Sequence, residues 1–444
     1  MNRLAVGEGR VGHLLSSGAL TALLALACGV AKPADDDDVV PIGAVLPFTG
    51  DEATIGQNLE QALLLAIEDV NRAGGIGGTP LRLVSRDSNS GSSRGLHGLL
   101  QVLYEDDARY LIGPEENELA NEIVPDIKGL DVFNVLPGFA SPSIERVTRS
   151  GAWLRLPPSP LAFGCGLSEL SRQHVVEVAN AVVAQDDFNQ SVASEFITEF
   201  FDIGGGMLPS MTLPANNEPN ATRVASVVRA GADRTLLIVN PSSASTIVTD
   251  WAVGGGGGSW LLGPTLHTPG FLQNVPLGSL DGTIGLSPTL SLASECEAQP
   301  DGYRGRLRCE HANADEFSAY YARRWGGDKP FPAAHFYYDA VVLLAMGLHY
   351  AAGQGTPEPS AAQLHRAILE MASEATAHGT WKDLSSMFGD LHDGIAVTYA
   401  GAAAEYRFDQ FGAAKHLIFD TWRVESQEYV DEGNVQARCL RQPK

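Results

Sequence analysis

Positive charge is scarce in this sequence: 30 Lys and Arg stand against 53 Asp and Glu, and the net charge is −23. No basic stripe offsets that sign, so phosphate-rich partners are repelled and nucleic acid is excluded as a partner. Long apolar runs are missing beyond the N-terminus, so no internal membrane span is expected. Charged residues make up only 19% and hydrophobic ones 44%, which excludes a disordered chain, since that state needs low hydrophobicity and high charge. Catalytic signatures are missing too. The 11 His are scattered with no HExxH, and neither a GxSxG elbow nor a GxxxxGKS/T loop occurs. No enzyme, cofactor or metal site is expected. What remains, in 444 residues, is enough chain for two or three domains with sizeable cores.

The N-terminus reads as an export signal. Arg3 and Arg10 precede a stretch from Val11 to Ala31 free of Asp, Glu, Lys and Arg, and Leu14–Ala27 is mostly Leu and Ala. Residues 1–27 thus form a signal peptide. Small residues before Cys28 resemble a bacterial lipobox, in which the thiol is lipidated and becomes the mature N-terminus. The alternative is an ordinary signal peptide with an incidental Cys. Asp35–Asp38 repel one another and stay solvated, so 28–38 suits an acidic tether. A periplasmic, membrane-anchored lipoprotein is expected. The other four cysteines are an even number in an exported chain, which points to disulfides. Cys296 and Cys309 flank a short polar stretch, and a bridge closing it is the first choice, leaving Cys165 with Cys439. Three pairings remain open on sequence alone. A zinc site lacks a CxxC or paired His.

Strand and helix patterns alternate through the middle. Val40–Phe48, Leu81–Ser85, 109–113 and 132–136 are short apolar runs, and helical spacing of apolar residues fills 55–73, 95–106 and 117–129. After Trp153–Pro158 the series restarts, with helices at 160–172, 190–202, 219–230 and 242–252. Its strands lie near Asn180–Ala184, Met207–Leu213, Thr235–Val239 and Trp260–Leu262. Such alternation predicts parallel sheets covered on both faces, in two similar α/β lobes. Ligands of these sheets bind outside the carboxyl ends of the strands, so the cleft between lobes is the expected site. Gly254–Gly258 and the GGIGG run at 74–78 close helices before strands, the wrong context for a phosphate loop, and read as turns.

The opening IGAVLPFTGDEATIGQNLEQALLLAIEDVNRAGGIGGTPLRLVSRDSNS, with Pro47, Thr49-Gly50, Ala73–Ile76 and Asp87, resembles the type I periplasmic binding proteins of the leucine/isoleucine/valine-binding group. YLIGP (110–114), LPGFASPSI (136–144), WLRLPPSPLAFG (153–164), QDDFNQSVASEFITEFFDIGG (185–205), HFYYDAVVLLAMGL (335–348) and AAEYRFDQFG (403–412) fit later parts in order, so the resemblance spans about 40–424. It implies two doubly wound parallel-sheet lobes joined by three hinge segments near 155–160, 286–292 and 375–382. One lobe would hold 39–156 and 289–376, the other 157–288 and 377–425, with 426–444 a C-terminal tail. It also implies a clamp that delivers a small-molecule ligand to an ABC permease, or a clamp-fold lipoprotein used for sensing or protein contact.

The same resemblance assigns the ligand loops. Where amino-acid binders carry hydroxyls after the third strand, this chain has Glu115, Glu116, Asn117 and Glu118. Acids at a helix start suit its dipole but repel an anion. The next loop gives Phe139, Ala140 and Ser141. On the second lobe, Thr265 follows Gly263-Pro264 where an acid usually pairs with a ligand ammonium, Ser242 replaces an aromatic, Phe188 keeps one, and Ile55 stands where an aromatic often packs on the ligand. A ligand other than a simple branched-chain amino acid is expected.

Overall fold

A computed structural model of the protein describes residues 39–439 apart from 51–52, 91–92, 116–118, 121, 124–126, 128, 140, 145–151, 215–220, 229–230, 257–259, 299–305 and 416. The expected signal peptide, the tether and Cys28 lie outside the described residues, as do Glu116, Asn117, Glu118 and Ala140.

Apolar strands that bury both faces build the first sheet. Val40–Leu46 (β1), Leu81–Asp87 (β2), Tyr110–Ile112 (β3), Phe133–Leu136 (β4) and Trp153–Arg155 (β5) run in the order β2-β1-β3-β4-β5. Every neighbouring pair is parallel. Alternation along β1 sends Ile42, Ala44 and Leu46 to one core and Val45 to the other, as the two-residue period of a strand requires. The first core is covered by the helices Ala53–Arg72 and Pro332–Gly353, the second by Ser93–Tyr104. Gly43 permits the second packing, because a Cβ there would lie 2.3 Å from Val102 Cγ1.

The second sheet repeats this order. Val178–Ala184 (β6) lies between Gly206–Met207 (β7) with Met211–Leu213 (β8) on one side and Arg234–Ile238 (β9) on the other, followed by Trp260–Leu262 (β10) and Ile284–Pro288 (β11). These pairs are all parallel. Ala181 and Val183 enter the core shared with helices Pro160–Gln173 and Asp187–Asp202, while Val182 enters the core beside Pro241–Val253. The single strand expected over 207–213 is two, because Pro209 offers no amide hydrogen and the Ser210 hydroxyl accepts from Ala181 N at 2.9 Å in place of a strand carbonyl. Gly74, Gly75, Gly77 and Gly78 have positive φ in a turn, and Gly254 and Gly255 form the turn that ends Pro241–Val253.

Beyond β11 the sheet gains an antiparallel edge that the sequence reading does not contain. Cys296–Ala298 (β12) and Arg306–Cys309 (β13) form a hairpin, and Ile418–Glu425 (β16) and Glu428–Gln436 (β17) carry it onto β11. Residues 428–436, expected in a tail, are therefore a sheet strand. Between these segments, Ala377–Thr380 (β14) and Val397–Ala400 (β15) pair with each other in parallel. The expected boundary at 377 is also corrected. Trp381, Met387, Val397, Tyr399 and Tyr406 lie in the first lobe's core, so the third crossing falls after Ala414, which packs on that core, and before Ile418 opens β16. The first crossing lies between Arg155 and Pro160. The second leaves β11, touches the first lobe's core at Leu290, is interrupted by the hairpin, and enters that lobe at Ala312–Arg324, where Phe317 and Tyr321 join the core.

Disulfides join Cys296 to Cys309, direct partners across the hairpin, and Cys165 to Cys439, which ties the helix Pro160–Gln173 to the segment that follows β17. In the first lobe, three consecutive residues of Pro332–Gly353 organise the surroundings, since neighbours on a helix point about 100° apart. Tyr337 donates to Glu115 at 2.9 Å and Tyr338 to Asp69 at 2.8 Å. Asp339 accepts from Ala402 N, Ala403 N, Tyr399 and Tyr406 at 2.7–2.9 Å. Burial pushes the Asp339 carboxyl up to about 7, against the pull of these donors.

Candidate functional site

The loops at the carboxyl ends of the strands in the two sheets meet. After β4, Phe139 stacks on Phe188 with ring centroids 5.6 Å apart and planes at 13°, and it meets the edge of Phe163 at 5.1 Å. Phe163 and Phe188 belong to the second lobe's core, and Phe139 packs against that core from the other lobe. Beside this stack, Asp187 accepts from Ser143 N at 2.8 Å and from the Ser143 hydroxyl. Asp187 stands in the first turn of its helix, where a carboxylate suits the dipole, and Asp186 caps the same helix by accepting from Asn189 N at 2.8 Å.

On the first lobe, the turn after β1 is built around Asp87. Its carboxylate accepts from Phe48 N at 2.9 Å, Thr49 N at 3.1 Å, the Thr49 hydroxyl at 2.6 Å and Asn89 N at 2.8 Å. Burial raises its pKa, but these donors outweigh burial and hold the carboxyl below the ordinary value. Glu115 follows β3 and turns toward its own lobe. It meets Tyr337 and lies so near Gly138 that a Cβ there would sit 2.7 Å from Glu115 Oε2. Gly138 is thus needed where the Glu115 and Phe139 loops touch. Ile55 also packs on the first lobe's core, and Ser141 is buried, with its hydroxyl 3.5 Å from Ile144 N.

Across the gap, the Thr265 hydroxyl donates to Val239 O at 3.2 Å, linking the ends of β9 and β10. Ser242 is exposed in the first turn of Pro241–Val253, which Asn240 caps. Of the expected ligand residues that are described, Phe139 and Phe188 are in contact. Ser141 lies on the Phe139 loop, Thr265 and Ser242 follow neighbouring strands of the second sheet, and Glu115 and Ile55 engage their own lobe. Tyr337, Ser143, Asp187 and Phe163 also stand at these loops and are not among the residues expected there. Only Asp187 had a signal, since an acid one residue past an Asp marks a helix start.

A Ser–His–Asp row does occur, at the crossings. Ser291 Oγ lies 2.8 Å from His311 Nδ1, and His311 Nε2 lies 3.8 Å from Asp420 Oδ1. Ser291 is 3% exposed, so its hydroxyl is not presented to a substrate, and the two ring nitrogens are used in the reverse sense of a nucleophile triad. Burial pushes Asp420 up to about 6, with His311 opposing. Asn434 donates to Asp420 at 2.7 Å and accepts from Cys309 N at 2.7 Å, so the row fastens the second crossing to the third. Among the described residues, Cys165, Glu195 and Glu199 have metal-like spacing, but that sulfur is already bonded to Cys439.

Comparison with known proteins agrees with this architecture. A family model described as periplasmic binding protein matches residues 39–392. A Leu/Ile/Val-binding protein homolog of Brucella melitensis biotype 1 is 24% identical over 263 residues, 54% of this chain. The match spans 63% of that relative's length. Three solved structures share the fold. The branched-chain amino acid substrate-binding protein LivJ of Streptococcus pneumoniae, in complex with isoleucine, has 14% identity and a TM-score of 0.68 over 90% of this chain and 99% of its own. A leucine-binding protein, LivK, of Thermotoga maritima has 15% identity and a TM-score of 0.69 over the same shares. A solute-binding protein of R. palustris in complex with benzoate has 15% identity and a TM-score of 0.65, over 90% of this chain and 98% of its own. With a model match over most of its length and the doubly wound sheets just described, the chain belongs to the periplasmic binding protein family.

Proposed function

We propose that the protein is an extracytoplasmic solute receptor, held at a membrane by lipid on Cys28. It captures a small ligand by closing its lobes and presents it to an ABC permease. The observation that carries this reading is the meeting of strand-end loops from two like-ordered sheets that three crossings connect among the described residues. Ligand contacts to both lobes then shift the open–closed balance, without catalysis. The lobes are taken as 39–155 with 312–414, and 160–309 with 418–439.

The ligand is an amino-acid-like, amide or related compound rather than a simple branched-chain amino acid. The relative from S. pneumoniae was solved with isoleucine and that from R. palustris with benzoate, so the fold accommodates different chemistries. Here Glu115 and Asp187 stand at the loops where an anionic group would need donors, and Thr265 stands where an ammonium would need an acid. Ile55, Glu115, Glu116, Asn117, Phe139, Ala140, Ser141, Phe188, Ser242 and Thr265 are the proposed lining. The test is a thermal-shift panel of amino acids, amides, polyamines and aromatic compounds on the mature protein, followed by calorimetry. A bound solute raises the melting temperature by mass action. Micromolar leucine binding would defeat the ligand assignment. No shift with any solute would favour the second reading, a clamp used for protein contact or sensing, which the Phe139–Phe188 and Ser143–Asp187 contacts across the gap also suit.

A further inference from the structure

The side chain of Phe139 occupies a place built for a ring. Phe188 gives it a nearly parallel face, Phe163 an edge at 85°, and Phe419 backs Phe163 at 5.1 Å. Stacked and edge-on contacts are the two arrangements that aromatic quadrupoles favour. Phe163 and Phe188 are 0% and 3% exposed with Phe139 in place, whereas Phe139 itself is half-buried. The ring therefore covers two apolar faces of the opposite lobe while belonging to a loop of its own lobe. Its approach is fixed by Gly138 against Glu115. The rim is acidic: Asp187 accepts from Ser143 next to the stack, and Asp186 begins the same helix.

We propose that Phe139 is a resident plug, and that the slot it fills on Phe163 and Phe188 takes the flat ring of a neutral or cationic aromatic solute. The proposal rests on the receptor reading above and names its ligand class. With no solute, the Phe139 ring holds the lobes together. An aromatic solute replaces that ring on Phe188, so its binding is reduced by the free energy of the contact it must displace. The acidic rim favours an amide or ammonium substituent over a carboxylate.

The test uses the mature chain with Phe139→Ala and, as a check on folding, Phe139→Leu, which keeps apolar volume without a ring. Benzamide, benzylamine and benzoate are titrated by calorimetry, and small-angle scattering measures the ligand-free proteins. Expected are a larger radius of gyration for Phe139→Ala and benzamide binding strengthened roughly two- to ten-fold, the range a stacked ring pair is worth. Phe139→Leu falls between, and benzoate binds more weakly than benzamide and benzylamine in every protein. Benzamide affinity that is undetectable or not raised in a folded Phe139→Ala protein overturns the proposal, as does a preference for benzoate. A non-aromatic solute that shifts the melting temperature of both proteins equally would sink the plug while leaving the receptor reading standing.

Discussion

The two disulfides close loops of very different length, and the difference gives a quantitative test of the fold. Cys165 and Cys439 are 274 residues apart in sequence, Cys296 and Cys309 only 13. A bridge stabilises chiefly by removing loop-closure entropy from the unfolded chain, which amounts to about 5.6 kcal/mol for the long loop and about 2.9 kcal/mol for the short one. The difference is about 2.7 kcal/mol. It shrinks if the second lobe unfolds while the first stays folded. Residues 312–414 then remain tied at both ends near the crossings, the free loop falls to roughly 170 residues, and the difference becomes about 2.3 kcal/mol. Alanine is the right replacement, since Cys165 is fully buried and serine would strand a hydroxyl there. Urea unfolding of C165A/C439A and C296A/C309A, with slopes compared to check that the same surface is exposed, measures both costs. A hairpin pair that costs as much as the long-range pair would refute the pairing or the view that these bridges act through the unfolded chain.

Three other substitutions probe the lobe that carries the cleft loops. Tyr337→Phe removes the 2.9 Å hydrogen bond to Glu115 and should cost about 1.5–3 kcal/mol, the usual worth of a bond to a charged group, in chemical denaturation. Gly401→Ala places a Cβ 2.4 Å from Asp339 Oδ2; overpacking there should cost about 1–3 kcal/mol and lower the melting temperature. Asp87 has a depressed folded-state pKa, so its stabilisation is present above the unfolded carboxylate value and is lost as pH falls through the folded one. Asp87→Asn should flatten that acid limb, and an unchanged stability–pH curve would remove Asp87 from the account.

The elements were legible wherever one period ruled a segment. The short apolar run at β1 and the helical spacing of Ala53–Arg72 fix those elements locally. The antiparallel edge was not legible, because β12 and β13 are short and polar and β13 draws its second partner from β17, more than a hundred residues on. The third crossing was misplaced for a related reason. β14, the helix Leu384–His392 and β15 look like a unit of the second lobe, and only the burial of Trp381, Met387 and Tyr399 among first-lobe helices assigns them. At the site, the sequence supplied residue types but not directions. Glu115 reads as a loop acid, and nothing local in the sequence tells that Tyr337, 222 residues away, donates to it.

The crossings explain why a single ring on the far side of the gap carries weight. Arg155 N donates to Gly412 O at 2.8 Å and Ala414 N to Arg155 O at 2.9 Å, so the first and third crossings are bonded to each other where they leave the first lobe. Thr289 N donates to Ile418 O at 3.3 Å, and His311 faces Asp420, so the second is bonded to the third as well. Under the receptor reading, three segments fastened side by side leave bending as the motion that opens and shuts the gap. Under the receptor reading these bonds persist in both the open and the closed form and cancel from their difference. The balance is then set by contacts that exist only when the gap is shut. Among the described residues those include Phe139 on Phe188 and Phe163, and Ser143 on Asp187. A solute that adds no differential contact beyond these shifts nothing, however well it fits one lobe. The ligand must therefore better what Phe139 already supplies, which is why its chemistry is to be sought in the shape of that ring.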